Sequence, residues 1–244
     1  MRYLTLTVLL LLTAGATASA DMSMDVTPLR VQVRMDPGAE YTNAVQVTNS
    51  GEEPLRLRAY LEDWYLDEVG TPMFQPAGST PHTASPWIDV APSDLLLKSG
   101  ETEFVRFTIR VPKGIDEGAF HTSLILENVP LNRAEKGPNQ VFIRGRVGCM
   151  LYVTVGEPEK SARIKSLVSV ERDGNRYLVM EVENTGQDFI RLAGAVDFLA
   201  GEREIGDRTL VPDVPVLPGT SRLVEFEVSP EQTAHSSLAR VTIT

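Results

Sequence analysis

From residue 102 to 111 the chain alternates. Val105, Phe107, Ile109 and Val111 are apolar, and Arg106, Thr108 and Arg110 between them are polar. A period of two belongs to a strand with one dry face and one wet face. Pro112, Lys113 and Gly114 supply a turn. The alternation resumes with Phe120, Thr122, Leu124 and Leu126 against His121, Ser123 and Glu127, so the pattern predicts two strands paired around one buried face. Upstream, residues 85–90 read as a short strand, and Ser99-Gly100 turns the chain into the hairpin.

The same periodicity predicts strands over 26–34, 41–48 and 55–64, separated by Asp36-Pro37-Gly38 and Asn49-Ser50-Gly51. Residues 67–86 hold four prolines and two glycines without a sustained period and read as a long loop or a loose hairpin. A strand over 141–155 closes this half and is far longer than the usual 5 to 6 residues. Val141, Ile143, Val147, Cys149, Leu151, Val153 and Val155 form its apolar face, while Phe142, Arg144, Arg146, Met150 and Tyr152 fall on the other. Gly145 and Gly148 interrupt it, as glycines do at a bulge or where another backbone comes close.

Residues 156–161 read as a linker, beyond which the opening pattern returns. Residues 45–51 (VQVTNSG) match 180–186 (MEVENTG), and the arginine seven residues after each asparagine recurs as Arg56 and Arg191. Gly100 and Gly219 are each followed seven residues later by phenylalanine, Phe107 and Phe226, and then by proline. The offsets are 135 and 119; the extra 16 residues of the first half match the irregular segment before Trp87. The predicted fold is all-β: two tandem immunoglobulin-like sandwiches, residues 21–155 and 162–244.

Residues 1–20 read as a cleaved secretory signal peptide, with Arg2, an apolar run over 4–14 and the small-residue site Ala18-Ser19-Ala20. Nothing later approaches the roughly 20 apolar residues of a spanning helix. The formal charge of −10 disfavours nucleic acid as a partner. A single cysteine, Cys149, excludes an internal disulfide, so packed cores must supply stability. Its alternation with Val147 and Leu151 marks it as a small buried hydrophobe rather than a nucleophile.

No catalytic arrangement emerges. His82, His121 and His235 fall in no metal-ligand spacing, and each reads as an ordinary surface or strand side chain. There is no nucleophile elbow and no phosphate loop. The acidic pairs Glu52-Glu53, Glu62-Asp63 and Asp67-Glu68 lie near turns, where strand neighbours point apart, and read as solvated edges. The expectation is a non-enzyme with no cofactor and no metal.

The order of these features resembles the periplasmic pilus-assembly chaperones, two-domain immunoglobulin-like proteins that carry fimbrial subunits to an outer-membrane usher. The resemblance rests on Ser85-Pro86 before a short strand, the 100–111 strand with its Phe-Val-Arg-Phe core, residues 123–130 (SLILENVP), residues 133–136 (RAEK) and the long strand that follows. It implies a periplasmic location and fimbrial or surface-fibre subunits as partners, bound by donor-strand complementation in which the long strand fills a groove in the subunit. Val141, Phe142, Ile143 and Val147 would form the donor strand. The resemblance also implies an arginine on the first strand and a lysine on the last as anchors for the subunit's terminal carboxylate. Arg30 is the nearest match, with Arg34 as alternate; the lysine is missing, Gly148 or Cys149 standing there, and Arg144 or Arg146 would substitute by clamping the carboxylate. Two alternatives stand beside this. The long strand can be committed wholly to its own core, and the chain can be a secreted structural or adhesive module without a client.

Overall fold

The computed structural model describes residues 24–131, 144–229, 232 and 238–243. The first half holds β1 (Met24–Thr27), β2 (Arg30–Met35), β3 (Glu40–Asn49), β4 (Leu55–Leu66), β5 (Pro72–Pro76), β6 (Ile88–Ala91), β7 (Asp94–Leu97), β8 (Thr102–Arg110), β9 (Gly118–Asn128) and β10 (Arg146–Val155). One sheet runs β1-β3-β8-β6 and the other β2-β10-β9-β4-β5, with β7 also paired to β4. Their inner faces enclose one core that includes Val45, Val47, Leu57, Leu97, Val105, Phe107, Ile109, Leu124, Leu126, Cys149, Leu151 and Val153.

The second half holds β11 (Ala162–Arg172), β12 (Asn175–Asn184), β13 (Ile190–Arg191), β14 (Gly194–Ala200), β15 (Arg203–Glu204), β16 (Thr209–Val211), β17 (Pro215–Val216), β18 (Ser221–Val228) and β19 (Leu238–Ile243). β11-β12-β18 form one sheet, β14 is flanked by β15, β16 and β19, and β13 pairs with β17. Their separate core is built on Met180, Val182, Leu192, Val196, Phe198, Val216, Val224 and Phe226. The chain is thus all-β, two immunoglobulin-like sandwiches in tandem.

Several expected elements change. β8 and β9 do not pair: β8 lies between β3 and β6 in one sheet, and β9 between β10 and β4 in the other. The seven residues joining them cross between sheets, and their dry faces meet through the core rather than edge to edge. The predicted strand over 26–34 divides, because β1 pairs antiparallel with β3 while β2 pairs parallel with β10. The segment 67–86 contributes β5, paired with β4, and a short 3-10 turn at Ser85–Trp87. Asp63, expected at a solvated edge, is fully buried. It accepts from the backbone N–H of Ser79 and Thr80 and from the hydroxyls of Thr80, Thr83 and Thr122. The signal peptide and residues 133–136 lie outside the described residues.

The repeat seen in the sequence has a physical basis. Asn49 is 2% exposed and donates from Nδ2 to the Glu53 and Leu97 carbonyls, while its Oδ1 accepts from Gly51 N. Asn184, fully buried, donates to the Asp188 and Val216 carbonyls and accepts from Gly186 N. Gly100 N and Gly219 N donate to the carbonyls of these same asparagines. Arg56 Nε reaches Asp94 at 2.8 Å and Arg191 Nε reaches Asp213 at 2.9 Å. Each asparagine ties a turn to a neighbouring strand with donors and an acceptor that alanine lacks. Asn49→Ala and Asn184→Ala should each therefore cost at least about 1–3 kcal/mol, the penalty for one buried group left unpaired. Urea denaturation of the two single variants measures this loss.

Candidate functional site

A seam of aromatic side chains joins the two sandwiches. Trp64, Ala119 and Tyr152 of the first pack with Phe189 and Leu217 of the second. The Tyr152 and Phe189 rings meet edge-on at 5.0 Å, and the Trp64 and Tyr152 rings at 5.5 Å. Beside them Asp188, 3% exposed, accepts from Thr154 Oγ1 at 3.1 Å and from Arg34 Nη2 at 3.3 Å. Arg34 also donates to the Gly156 carbonyl and to Glu157. The alternate anchor of the sequence reading is thereby engaged in holding the hinge.

A cleft of about 850 Å³ opens against this seam. Arg30 and Tyr152 stand on one wall and Lys160, Ile164, Phe189 and Arg191 on the other. Arg30 lies 4.7 Å from the Tyr152 ring centroid and donates to Gln32 Oε1 at 3.0 Å. Among the described residues it has no carboxylate partner. Arg191 pairs with Asp213, and Lys160 stands 3.7 Å from Asp188. Three cations on an apolar, aromatic floor suit an anionic group attached to an apolar chain, since a partly desolvated charge interacts more strongly than one in water.

β10 forms the spine of this region. β9 pairs with it over all of 146–155, but β2 pairs with it only over 150–155. Residues 146–149 therefore present one strand edge without a described partner, and such an edge is a template for another chain. Val147 is half-buried, whereas Cys149, Leu151, Val153 and Val155 are sealed in the core. Burial pushes the Cys149 thiol up to about 12. Val141, Phe142 and Ile143 lie outside the described residues.

Of the sequence-predicted anchors, only Arg30 lines the cleft. The register sets Met150 opposite Arg30, and Arg146 lies four residues earlier, about 13 Å along the strand. Arg146 grips Glu62 at 2.9 Å and stacks 5.8 Å from the Phe74 ring. Arg144 faces Glu127 at 3.6 Å. Lys160 and Arg191 were not singled out as site residues, because one lies in the linker and the other beyond it, and only the docking of the sandwiches brings them opposite Arg30. The Asn-to-Arg repeat marked Arg191, but as a structural recurrence.

No protein-family model matches the sequence, and no curated protein sequence matches it. Solved structures do. A chain of the chaperone–tip adhesin complex of CFA/I fimbriae biogenesis is 13% identical, covers 91% of this chain and 98% of its own, and superposes with a TM-score of 0.53. The YadV chaperone is 11% identical, with 91% and 92% covered and a TM-score of 0.52. The class 5 fimbriae chaperone CfaA is 12% identical, with 91% and 98% covered and a TM-score of 0.50. At these identities the likeness is one of fold.

His121, expected as an ordinary surface or strand side chain, is 4% exposed and sits within the hinge. Its ring meets Trp64 at 4.8 Å and Phe189 at 6.0 Å, and its Nε2 lies 2.8 Å from the Trp64 carbonyl. Burial pulls its pKa down to about 4 against an ordinary 6.5. The neutral ring therefore favours the folded state fully above pH 6.5, and the advantage is lost as pH falls toward 4, where the unfolded chain binds the extra proton first. The loss is about 3 kcal/mol at 1.36 kcal/mol per pH unit. Asp63 acts in the same sense at lower pH. Burial opposes its charge, but hydrogen bonds from Thr83, Thr80 and Ser85 outweigh this and hold its pKa below the ordinary 3.8. Thermal unfolding midpoints should thus fall between pH 6.5 and 4 in the parent, with a smaller fall in His121→Gln.

Proposed function

We propose that this chain is a divergent fimbrial assembly chaperone, which holds an incomplete fimbrial or surface-fibre subunit in the periplasm by donor-strand complementation and delivers it for assembly. The observation that carries this reading is the conjunction, along β10, of a strand edge at 146–149 without a partner among the described residues and a cationic cleft beside Tyr152. An extended segment adds to such an edge through main-chain hydrogen bonds, while alternate side chains give specificity. Val147, and before it Val141, Phe142 and Ile143, would offer apolar groups to the subunit's groove. The first domain, 21–155, would lend the strand, and the second, 162–244, joined through 156–161, would close the cleft.

Arg30 is the proposed anchor for the subunit's terminal carboxylate. Arg191 and Lys160 supply positive charge across the cleft in place of the lysine that β10 lacks. Arg144 and Arg146 already face carboxylates of their own and stand outside the cleft, so the reading rests on Arg30. Loss of a charge-assisted hydrogen bond costs about 1.5–3 kcal/mol, equivalent to a roughly ten- to hundredfold weaker complex. Arg30→Ala should weaken binding of a fimbrial subunit from the same genome by that factor, measured by titration after co-expression in the periplasm, with an unchanged melting temperature. Equal affinity in a folded Arg30→Ala protein would remove this residue as the anchor. Failure of the parent to bind any such subunit would favour a structural or adhesive module instead.

A further inference from the structure

The hairpin between β4 and β5 touches the second sandwich at a place remote in sequence. Its turn, residues 67–71, is rigidly built: Asp67 Oδ1 accepts from Val69 N at 3.1 Å and Thr71 N at 2.7 Å, Gly70 N donates to the Asp67 carbonyl, and Asp67 N donates to the Thr71 carbonyl. The sheet order β11-β12-β18 leaves β18 at an edge. There Leu223 N donates to the Glu68 carbonyl at 2.9 Å, so the turn covers part of an open edge of the other sandwich.

Arg222 completes the contact. Its guanidinium lies against Gly70 so closely that a Cβ at Gly70 would fall inside it, and Gly70 has φ +89°, a conformation side chains disfavour. The positive φ favours glycine there, and any side chain would push the Arg222 guanidinium aside. Arg222 Nη1 donates to the Pro215 carbonyl at 2.9 Å, and its Nε is buried without a hydrogen-bond partner among the described residues. Pro215 pairs with Arg191, and both line the cleft. A continuous path therefore runs from the turn through Arg222 and Pro215 to the cation that faces Arg30.

We infer that the 67–71 turn and Arg222 form a latch that fixes the angle between the two sandwiches and so the width of the cleft, with Arg222 as a positioning residue. The aromatic seam and the Arg34–Asp188 pair hold the hinge close to the linker, and contacts confined to a hinge leave rotation about it free. A third contact, on the edge of β18 beside Leu66 and Leu217 of the seam, restricts that rotation.

The test needs no ligand and so stands apart from the reading of the cleft. Spin labels at Glu103→Cys and Glu202→Cys, both exposed and one on each sandwich, report the inter-domain distance by pulsed dipolar spectroscopy, and fully buried Cys149 escapes labelling. Two variants are compared with the parent: Arg222→Ala, and a shortened hairpin in which residues 67–71 are replaced by Asn-Gly, which keeps β4 and β5 joined and leaves Arg222 in place. The expected result is one narrow distance distribution in the parent and a distribution at least twice as wide in each variant. An unchanged width in the shortened hairpin would overturn the latch. Broadening in that variant alone, with folded Arg222→Ala as narrow as the parent, would overturn the role of Arg222.

Discussion

The parallel pairing of β2 with the last six residues of β10 is the constraint on which the rest of this molecule depends. It begins where Met150 N donates to the Leu29 carbonyl and runs to Met35 beside Val155. Because it starts at Met150, the strand before that point keeps one edge without a partner among the described residues. Because the strands run side by side toward the linker, Arg30 comes to rest over Tyr152 and Arg34 reaches Asp188. One ladder thus sets the exposed edge, one wall of the cleft and one contact of the hinge.

The hinge itself combines two kinds of interaction with different physical characters. Trp64, Tyr152 and Phe189 bury large apolar areas and meet edge-on, a geometry that favours a definite orientation over sliding. Asp188 is a buried carboxylate, and such a charge is tolerated only when its oxygens are fully engaged. Thr154, Arg34 and the Phe189 backbone N–H provide that engagement, each with its own directional demand. The two sandwiches are therefore joined by a surface that is apolar for affinity and polar for register.

The odd and even faces of β10 have separate assignments. Cys149, Leu151, Val153 and Val155 seal the first core, while Met150 and Tyr152 turn toward the hinge and the cleft. Gly148 lies between Ile125, Met150 and Phe74, where a Cβ would come within 3.3 Å of the Ile125 side chain. This glycine thus answers to the packing of neighbouring side chains on the sheet surface, near the end of the doubly paired segment.

Alternation of apolar and polar residues was enough to mark most strands of the first sandwich, and the recurrence of Asn49 and Arg56 as Asn184 and Arg191 was enough to suggest a second, similar sandwich. Both are local properties: a period of two depends on the pleat, and a buried asparagine needs the same carbonyls wherever its turn occurs. Arg30 was singled out by the family resemblance, and the structure places it on a wall of the cleft. Pairing of β8 and β9 was misread because alternation identifies a dry face without saying whether its partner lies beside it or across a core. Asp63 read as part of a solvated edge and His121 as an ordinary surface or strand side chain, because their burial depends on the 79–85 segment and on Phe189, which fold over them from elsewhere in the chain. Arg191, Lys160 and Arg222 acquired their places only when the second sandwich docked, since contacts between residues over a hundred positions apart leave no period for the sequence to display.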